Sequence, residues 1–352
     1  MKEVAVIIPT LNEERYIEQC INSILYQTYP FDKMDIMIVD GGSIDNTRFI
    51  VNQMSLTMPN VRLIDNPKRI QSAAFNIGVK NSDAPIIIRL DAHASYSKKY
   101  IELCREHLLS HREYGNVGGI CLTKPMNNTL VAEANAILNK SYFGIGGTKF
   151  RVGSKATCVD TVPFGAFRRE VISKIGGMRE DMPRAEDNEY NSRIIKNGYK
   201  VFLDPNIVSV YYARGTFKGS IRQMYNNGDS IGHLFYVDRS AIGMRHFVPL
   251  FFVLNIIGGT FLVFFYLPFL YLLYAVMGLY FVLNIMATFI ECSKYGMKYL
   301  LILPVFFFSV HVSYGVGTII GLLKYRNRVH FKKWRYVLLS LKMLESGMYT
   351  TI

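Results

Sequence analysis

Four short apolar runs near the N-terminus leave this chain few folds to choose from. "VAVIIPT" (4–10), "DIMIVDGGS" (35–43), "VRLID" (61–65) and "PIIIRLDAH" (85–93) are too short for ordinary helices and mostly too apolar to leave one face in water. They read as strands buried on both faces. Between them the period changes. Ile17, Cys20, Ile21, Ile24 and Leu25 recur at helical spacing, with Thr10 or Asn12 as the expected cap. Ser43 is placed to cap a second helix running towards Met54, and a third is expected from Ile70 to Lys80. This alternation predicts an α/β fold: a Rossmann-like, mostly parallel sheet with helices on both faces.

In such sheets ligands sit outside the carboxyl ends of the strands. The exits Pro9-Thr10, Asp40-Gly41-Gly42, Asp65-Asn66 and Asp91-Ala92-His93 should therefore ring one crevice. In "VDGGSIDNT" the glycines supply a tight turn, and Asp40 stands where its carboxylate can accept from a base N–H. In "DAH", residues two apart on a strand share a face, so Asp91 and His93 can converge on one cation. A polar strand end with a solvated histidine accounts for the same residues. A cation bridging two phosphates would be Mg²⁺ or Mn²⁺, with the imidazole favouring Mn²⁺ or a later metal. The other option is that His93 donates a hydrogen bond to the diphosphate without touching a metal. "RAEDNEY" (184–190) sets Glu186 and Asp187 at a helix start. Favourable charges at the positive helix end explain both, and a general base beside a hydroxyl explains one. Lys68 and Arg69 suit a phosphate or the surface.

Beyond residue 115 the expected strands are "VGGICL", "DTVPFGAF", "KVFLD" and "VSVYYA", with a helix over 185–198. A mixed, amphipathic helix over 217–237 carries Arg222, Gln223 and Tyr225.

The remainder is a different material. Phe247–Ile290 is nearly free of charge and broken at Pro268, and Leu300–Leu323 is a third apolar segment. A span needs about 20 apolar residues, so the segments 247–266, 268–290 and 300–323 read as membrane helices. Arg245, Lys294, Lys298 and "KYRNRVHFKKWR" flank them, and by the positive-inside rule each cluster favours the cytoplasm. Three full spans would put the last cluster outside, so the third segment, with Pro304, His311 and several glycines, is expected to be re-entrant; an ordinary span is the alternative. The expected organisation is a cytoplasmic domain over 1–240, a membrane region over 241–335 and a tail over 336–352. The net charge of +13 suits an anionic membrane face or phosphate-bearing substrates, and no nucleic-acid module is present. The five cysteines form no C-x-x-C pair, and "MKEVAVIIPTLNEER" does not read as a signal peptide.

Taken in order, "VAVIIPTLNE", "IMIVDGGSIDNT", "NIGVKNSDAPIIIRLDAHASY", "FGAFRRE" and "AEDNEYNSRIIKNGYKV", followed by the basic, Tyr-containing helix, resemble family 2 glycosyltransferases over roughly 4–235. With Asp-Ala-His in place of Asp-x-Asp and an apolar C-terminal region, the chain is similar to the succinoglycan-biosynthesis type of bacterial exopolysaccharide glycosyltransferase. The resemblance implies a GT-A fold and inverting transfer from an NDP-sugar, usually a UDP-sugar, with Mn²⁺ or Mg²⁺. It implies that Pro9, Thr10, Asn12 and Glu13 line the nucleotide pocket, with Asp40 and Gly41 at the base and Arg69 nearby. Asp91 would hold metal and diphosphate, His93 would take the second ligand position, and Asp187 of Glu186-Asp187 would be the base. The Gln-x-x-Arg-Trp signature of processive synthases is absent; "RQMYNNG", with Arg222, Gln223 and Tyr225, stands roughly where it would be. That implies one sugar per encounter, onto a polyprenyl-diphosphate-linked glycan at the inner membrane face, alongside possible polysaccharide assembly proteins. A polyprenyl-phosphate sugar synthase and a non-catalytic membrane subunit are the competing readings.

Overall fold

The computed structural model describes residues 2–145, 147–153 and 155–345, with side chains to 326, so the tail expected over 336–352 lies outside the described residues from 346 on. Nine strands form one sheet: β1 Val4–Thr10, β2 Met34–Asp40, β3 Val61–Asp65, β4 Ile86–Arg89, β5 Ala94–Tyr96, β6 Tyr114–Pro125, β7 Thr157–Val159, β8 Ala166–Arg168 and β9 Lys200–Ala213. The order is β3-β2-β1-β4-β8-β6-β9-β5, with β7 also on β9. The strands β1 to β4 are mutually parallel, as the alternation predicts, so their carboxyl ends share one edge. The other half is mixed: β8 runs antiparallel to β4 and β6, while β5 and β7 run antiparallel to β9.

Successive residues of β1 and β2 go to opposite faces, and both faces are covered. Val6, Ile8, Ile36 and Ile38 meet Ile17, Cys20 and Ile21 of the helix Ile17–Leu25. Ala5, Ile7, Met37 and Val39 meet Phe75 of the helix Gln71–Lys80, with Phe167 and Tyr190 beyond. Each buried Val, Ile, Met or Phe among them contributes about 1.5–3 kcal/mol. Tyr190 anchors the helix Glu186–Lys196 edge-on to Phe75 and Phe167. A buried polar ladder fixes that helix further: Asn116 donates to Asn191 (2.7 Å), and Asn191 donates to Thr161 (2.9 Å). The start of this helix is thereby held over the sheet.

Several local expectations are overturned. Thr10, Asn12 and Ser43 cap no helix; the helices Ile17–Leu25 and Thr47–Thr57 begin at Tyr16 and Asn46 without side-chain caps. "KVFLD" and "VSVYYA" are one strand, β9, which bulges where the partner of β6 shifts from Asp204 to Val208. Gly119 permits the bulge, because a Cβ there would lie 1.7 Å from the Ile207 carbonyl oxygen. "DTVPFGAF" pairs only from Ala166, since Phe164 stands at φ 50°.

By contact the chain divides into Met1–Ser220 with Met277–Ser309, and Ile221–Val276 with Val310–Ile352. Among the described residues, three helical stretches are long and apolar enough to cross a membrane: Met244–Val263, Pro268–Tyr295 and Ile302–Arg326. Within the first unit, Glu133 accepts from Lys298 (2.7 Å) and Tyr299 (2.8 Å), and Phe143 meets Phe307 edge-on. Within the second, the part of the helix Phe217–Val237 from Ile221 on meets the third apolar helix backbone to backbone. A Cβ on Gly228, Gly232, Gly317 or Gly321 would fall 2.1–2.5 Å from the facing main chain. The expected re-entrant break is absent: the helix Ile302–Glu345 is continuous. Pro304 falls in its first turn, where a missing N–H costs nothing, and its Gly317 and Gly321 serve this close contact while Gly315 faces the Pro249 carbonyl.

The contact yields a prediction. Gly232→Ala or Gly321→Ala should destabilise the protein by about 1–3 kcal/mol, read as a lower melting temperature in detergent. Gly258→Ala, where a Cβ meets nothing within 4 Å, should not.

Candidate active site

The loops leaving β1 and β2 are laced together by side chains, and this explains what the expected caps do instead. The Ser43 hydroxyl accepts from the Asn12 N–H (2.8 Å), and Asn12 Oδ1 accepts from the Ile44 N–H (2.9 Å). Thr47 accepts from the Glu13 N–H, Asp45 from the Glu14 N–H, and Glu14 from the Asn46 N–H. Pro9 and Thr10 end β1 directly opposite Val39 and Asp40 of β2.

Asp40 is fully buried. It accepts from the Gly42 and Ser43 N–H groups (3.0 Å each), from the Ser43 hydroxyl, and from Arg48 (2.7 Å). Arg48 also reaches Asp65 at the exit of β3 (2.8 Å). Burial alone would raise the Asp40 pKa; the Ser43 and Arg48 bonds with the turn N–H groups outweigh it and hold the carboxyl below its usual range. Gly42 has φ 78°, and a Cβ on it would lie 3.1 Å from the guanidinium of Arg69. Arg69, itself at φ 57°, therefore lies across the Gly41-Gly42 turn.

At the next exit the organising residue is one the motifs do not name. Arg89 closes β4 with its side chain 5% exposed. Its Nη2 donates to Asp91 Oδ1 (3.0 Å) and Gln71 Oε1 (3.2 Å), and its Nη1 donates to Asp187 Oδ1. Glu186 lies 3.9 Å away. The two acids at the helix start are thus told apart. Asp187 is 36% exposed, and its other oxygen carries no hydrogen bond among the described residues. Glu186 is 6% exposed, and burial first, then Asp187, pushes its carboxyl well above the usual range despite Arg89. Of the two, Asp187 is the one that presents an unbonded oxygen outward. The sequence carries a signal for Arg89: it is the sole charge inside an apolar run, and a charge on a strand buried on both faces must find partners.

The strand ends at Arg89, earlier than "PIIIRLDAH" suggests, so Asp91 and His93 share no strand face. They lie in the bend before β5, where the Tyr96 hydroxyl accepts from the Asp91 N–H (2.7 Å). Asp91 turns to Arg89. His93 Nδ1 donates to Glu13 (2.9 Å), and its ring meets Tyr211 edge-on. Burial lowers the His93 pKa, but Glu13 and Asp91 more than reverse this. No group of three or more His, Cys, Asp or Glu side chains is arranged for a metal among the described residues. The donor set still suits a divalent cation. One Asp91 oxygen is uncommitted among the described residues, and a carboxylate behind His93 is the usual support of a ligating imidazole. Diphosphate oxygens and water would complete the sphere.

Four non-glycine residues adopt the left-handed conformation: Asn12, Arg69, Phe164 and Ala185. Three flank this site, and Ala185 immediately precedes Glu186. Each costs on the order of 1–3 kcal/mol, a strain typical of functional loops. Arg222, Gln223 and Tyr225 lie on the second unit's helix, where the Tyr225 carbonyl faces Gly317.

Comparisons with known proteins agree with this geometry. A family model described as "Glycosyl transferase family 2" matches residues 5–176. A dolichyl N-acetyl-alpha-D-glucosaminyl phosphate 3-beta-D-2,3-diacetamido-2,3-dideoxy-beta-D-glucuronosyltransferase of Methanococcus voltae is 30% identical over 277 residues, 76% of this chain and 85% of that one. The succinoglycan biosynthesis protein ExoA of Rhizobium meliloti is 31% identical over 247 residues, 70% of this chain and 74% of its own. Among solved structures, a mannosyltransferase of Pyrobaculum calidifontis in complex with GDP-Man and Mn²⁺ superposes with a TM-score of 0.59 at 19% identity. It covers 91% of this chain and 87% of that one, which gives this chain the GT-A fold.

Asp40→Asn should lower stability by about 1.5–3 kcal/mol at neutral pH. Ionised Asp40 stabilises the fold above its unfolded pKa, near 3.9, and that contribution fades as pH falls through the lower folded value. The gap between wild type and variant in denaturant titrations should therefore narrow in acid.

Proposed function

This chain belongs to glycosyltransferase family 2, and we propose that it is an inverting enzyme carrying a sugar from an NDP-sugar, a UDP-hexose, to a polyprenyl-diphosphate-linked glycan. The work is done at the cytoplasmic face of the inner membrane, in exopolysaccharide or capsule repeat-unit synthesis. One observation supports this above the others: Asp91, from a strand exit, and Asp187, from a helix start, are joined through one guanidinium. A donor-holding carboxylate and an acceptor-activating carboxylate then face one space.

The roles follow from that arrangement. The loops of Pro9, Thr10, Asn12 and Glu13 and the turn at Asp40-Gly41 form the nucleotide pocket, with Arg69 across it. Asp40, occupied by its own turn and by Arg48, shapes the base-binding edge. A bound Mn²⁺ or Mg²⁺, held by Asp91 and His93, would neutralise charge on the diphosphate. Asp187 takes the proton of the acceptor hydroxyl through its free oxygen as the hydroxyl oxygen bonds to the anomeric carbon. The bond from that carbon to the diphosphate oxygen breaks on the opposite face, and the NDP leaves with the electron pair. Inversion is the stereochemical result.

The acceptor class is supported by the relatives, one of whose names specifies a dolichyl sugar-phosphate and another succinoglycan biosynthesis. It is supported also by three helices able to cross a membrane. Arg222, Gln223 and Tyr225 serve the acceptor side. We read 1–240 as the catalytic part, 241–335 as the membrane part and 336–352 as a tail.

Two measurements test this. Asp187→Asn should reduce transfer about 10²–10⁴-fold while UDP affinity stays within a few-fold, with product mass rising by one sugar on a lipid-linked acceptor. A lipid monophosphate sugar as product would favour the synthase reading instead. His93→Asp should keep activity and shift metal use towards Mg²⁺ relative to Mn²⁺; an unchanged profile would show that His93 does not ligate.

A further inference from the structure

We propose that Arg89 is a positioning residue of the transfer reaction: its buried guanidinium holds one oxygen each of Asp91 and Asp187, fixes the spacing between them, and leaves the second oxygen of each for its ligand. This rests on the roles given above to Asp91 and Asp187.

The residue is hard to explain as a stabiliser. Arg89 occupies a strand otherwise made of isoleucines, opposite Ile7 of β1. Buried ion pairs are often replaced by apolar residues at no loss of stability. Its Nε moreover has no acceptor among the described residues. What the side chain does satisfy is at its tip, and the division there is regular. Nη1 goes to Asp187, and Nη2 goes to Asp91 and Gln71. In both acids the bonded atom is Oδ1, and Oδ2 carries no hydrogen bond among the described residues.

That geometry does two things. It sets one positive charge between two acidic side chains. It also turns both carboxylates by their held oxygens, so that the free oxygens cannot rotate independently. Gln71 accepts a further bond from the guanidinium, and the buried Glu186 lies 3.9 Å from it. A planar fork can span two carboxylates in this way, whereas an ammonium is a single point charge that must choose between them.

The test is Arg89→Lys and Arg89→Gln in the full-length enzyme in detergent, each alone and combined with Asp187→Asn. For Arg89→Lys, melting temperature should stay within a few degrees of wild type and UDP affinity within a few-fold. Its kcat should fall about 10²-fold, the scale of a misplaced reacting group. Added to Asp187→Asn, it should reduce the rate little further, because it acts through Asp187. Wild-type kcat in Arg89→Lys beside an inactive Asp187→Asn would overturn the role of Arg89 and leave the functional reading intact. Parallel loss of melting temperature, UDP binding and kcat in both Arg89 variants, or failure of both to fold, would make the residue structural and overturn the proposal. A fully active Asp187→Asn would overturn the reading of Asp187 and this inference with it.

Discussion

A guanidinium buried where the parallel and antiparallel halves of the sheet join has to be met by carboxylates, and in this protein the meeting point is the carboxyl edge of the parallel strands. Arg89 draws in Asp91 from its own strand exit, Asp187 from a helix start nearly a hundred residues later in the chain, and Gln71 from a third element. Desolvation is what makes the arrangement obligatory. In water these charges would drift apart at little cost, whereas here any missing partner leaves a buried charge unpaired. The same burial separates the neighbours Glu186 and Asp187: one is kept neutral-leaning inside, and the other stays exposed and paired.

A second constraint governs the first two strand exits. The loops after β1 and β2 have little apolar content of their own, and each supplies the hydrogen bonds that the other lacks. Asn12, Ser43, Asp45 and Thr47 are spent on this lacing, which is why helix caps expected at Asn12 and Ser43 do not form, while the Thr10 hydroxyl donates back to the Ile8 carbonyl. Asp40 is likewise consumed by its own turn and by Arg48. Under the proposed function this rim would receive the base and the diphosphate, with the cost of ordering the loops met in folding and not at binding.

The apolar C-terminal part follows different rules. The first two helices expose apolar side chains over much of their surface, so their partner is lipid and not the core. The third is buried more, and its glycines bring main chain against main chain at Gly228, Gly232, Gly317 and Gly321. In an apolar medium, where burial of side chains gains nothing, close backbone packing is the available glue.

The sequence by itself determined the first half of the sheet, the edge that carries the site and the family. Period and apolarity set which residues must leave water, and four parallel strands have one carboxyl edge whatever else happens. It marked Asp187, Asp91 and His93 by motif, and the helix break at Pro268 by the chemistry of proline. What only the tertiary structure decided is who meets whom. Asp91 and His93, two apart and expected to share a strand face, take Arg89 and Glu13 as their partners because β4 ends early. Arg89 and Asp187, far apart in sequence, share a hydrogen bond. The antiparallel half of the sheet, the bulge at Ile207 and the unbroken third apolar helix depend in the same way on partners distant in sequence. Local pattern encodes the solvent each residue prefers; pairing depends on contacts across the fold, and those exist only once the chain has closed on itself.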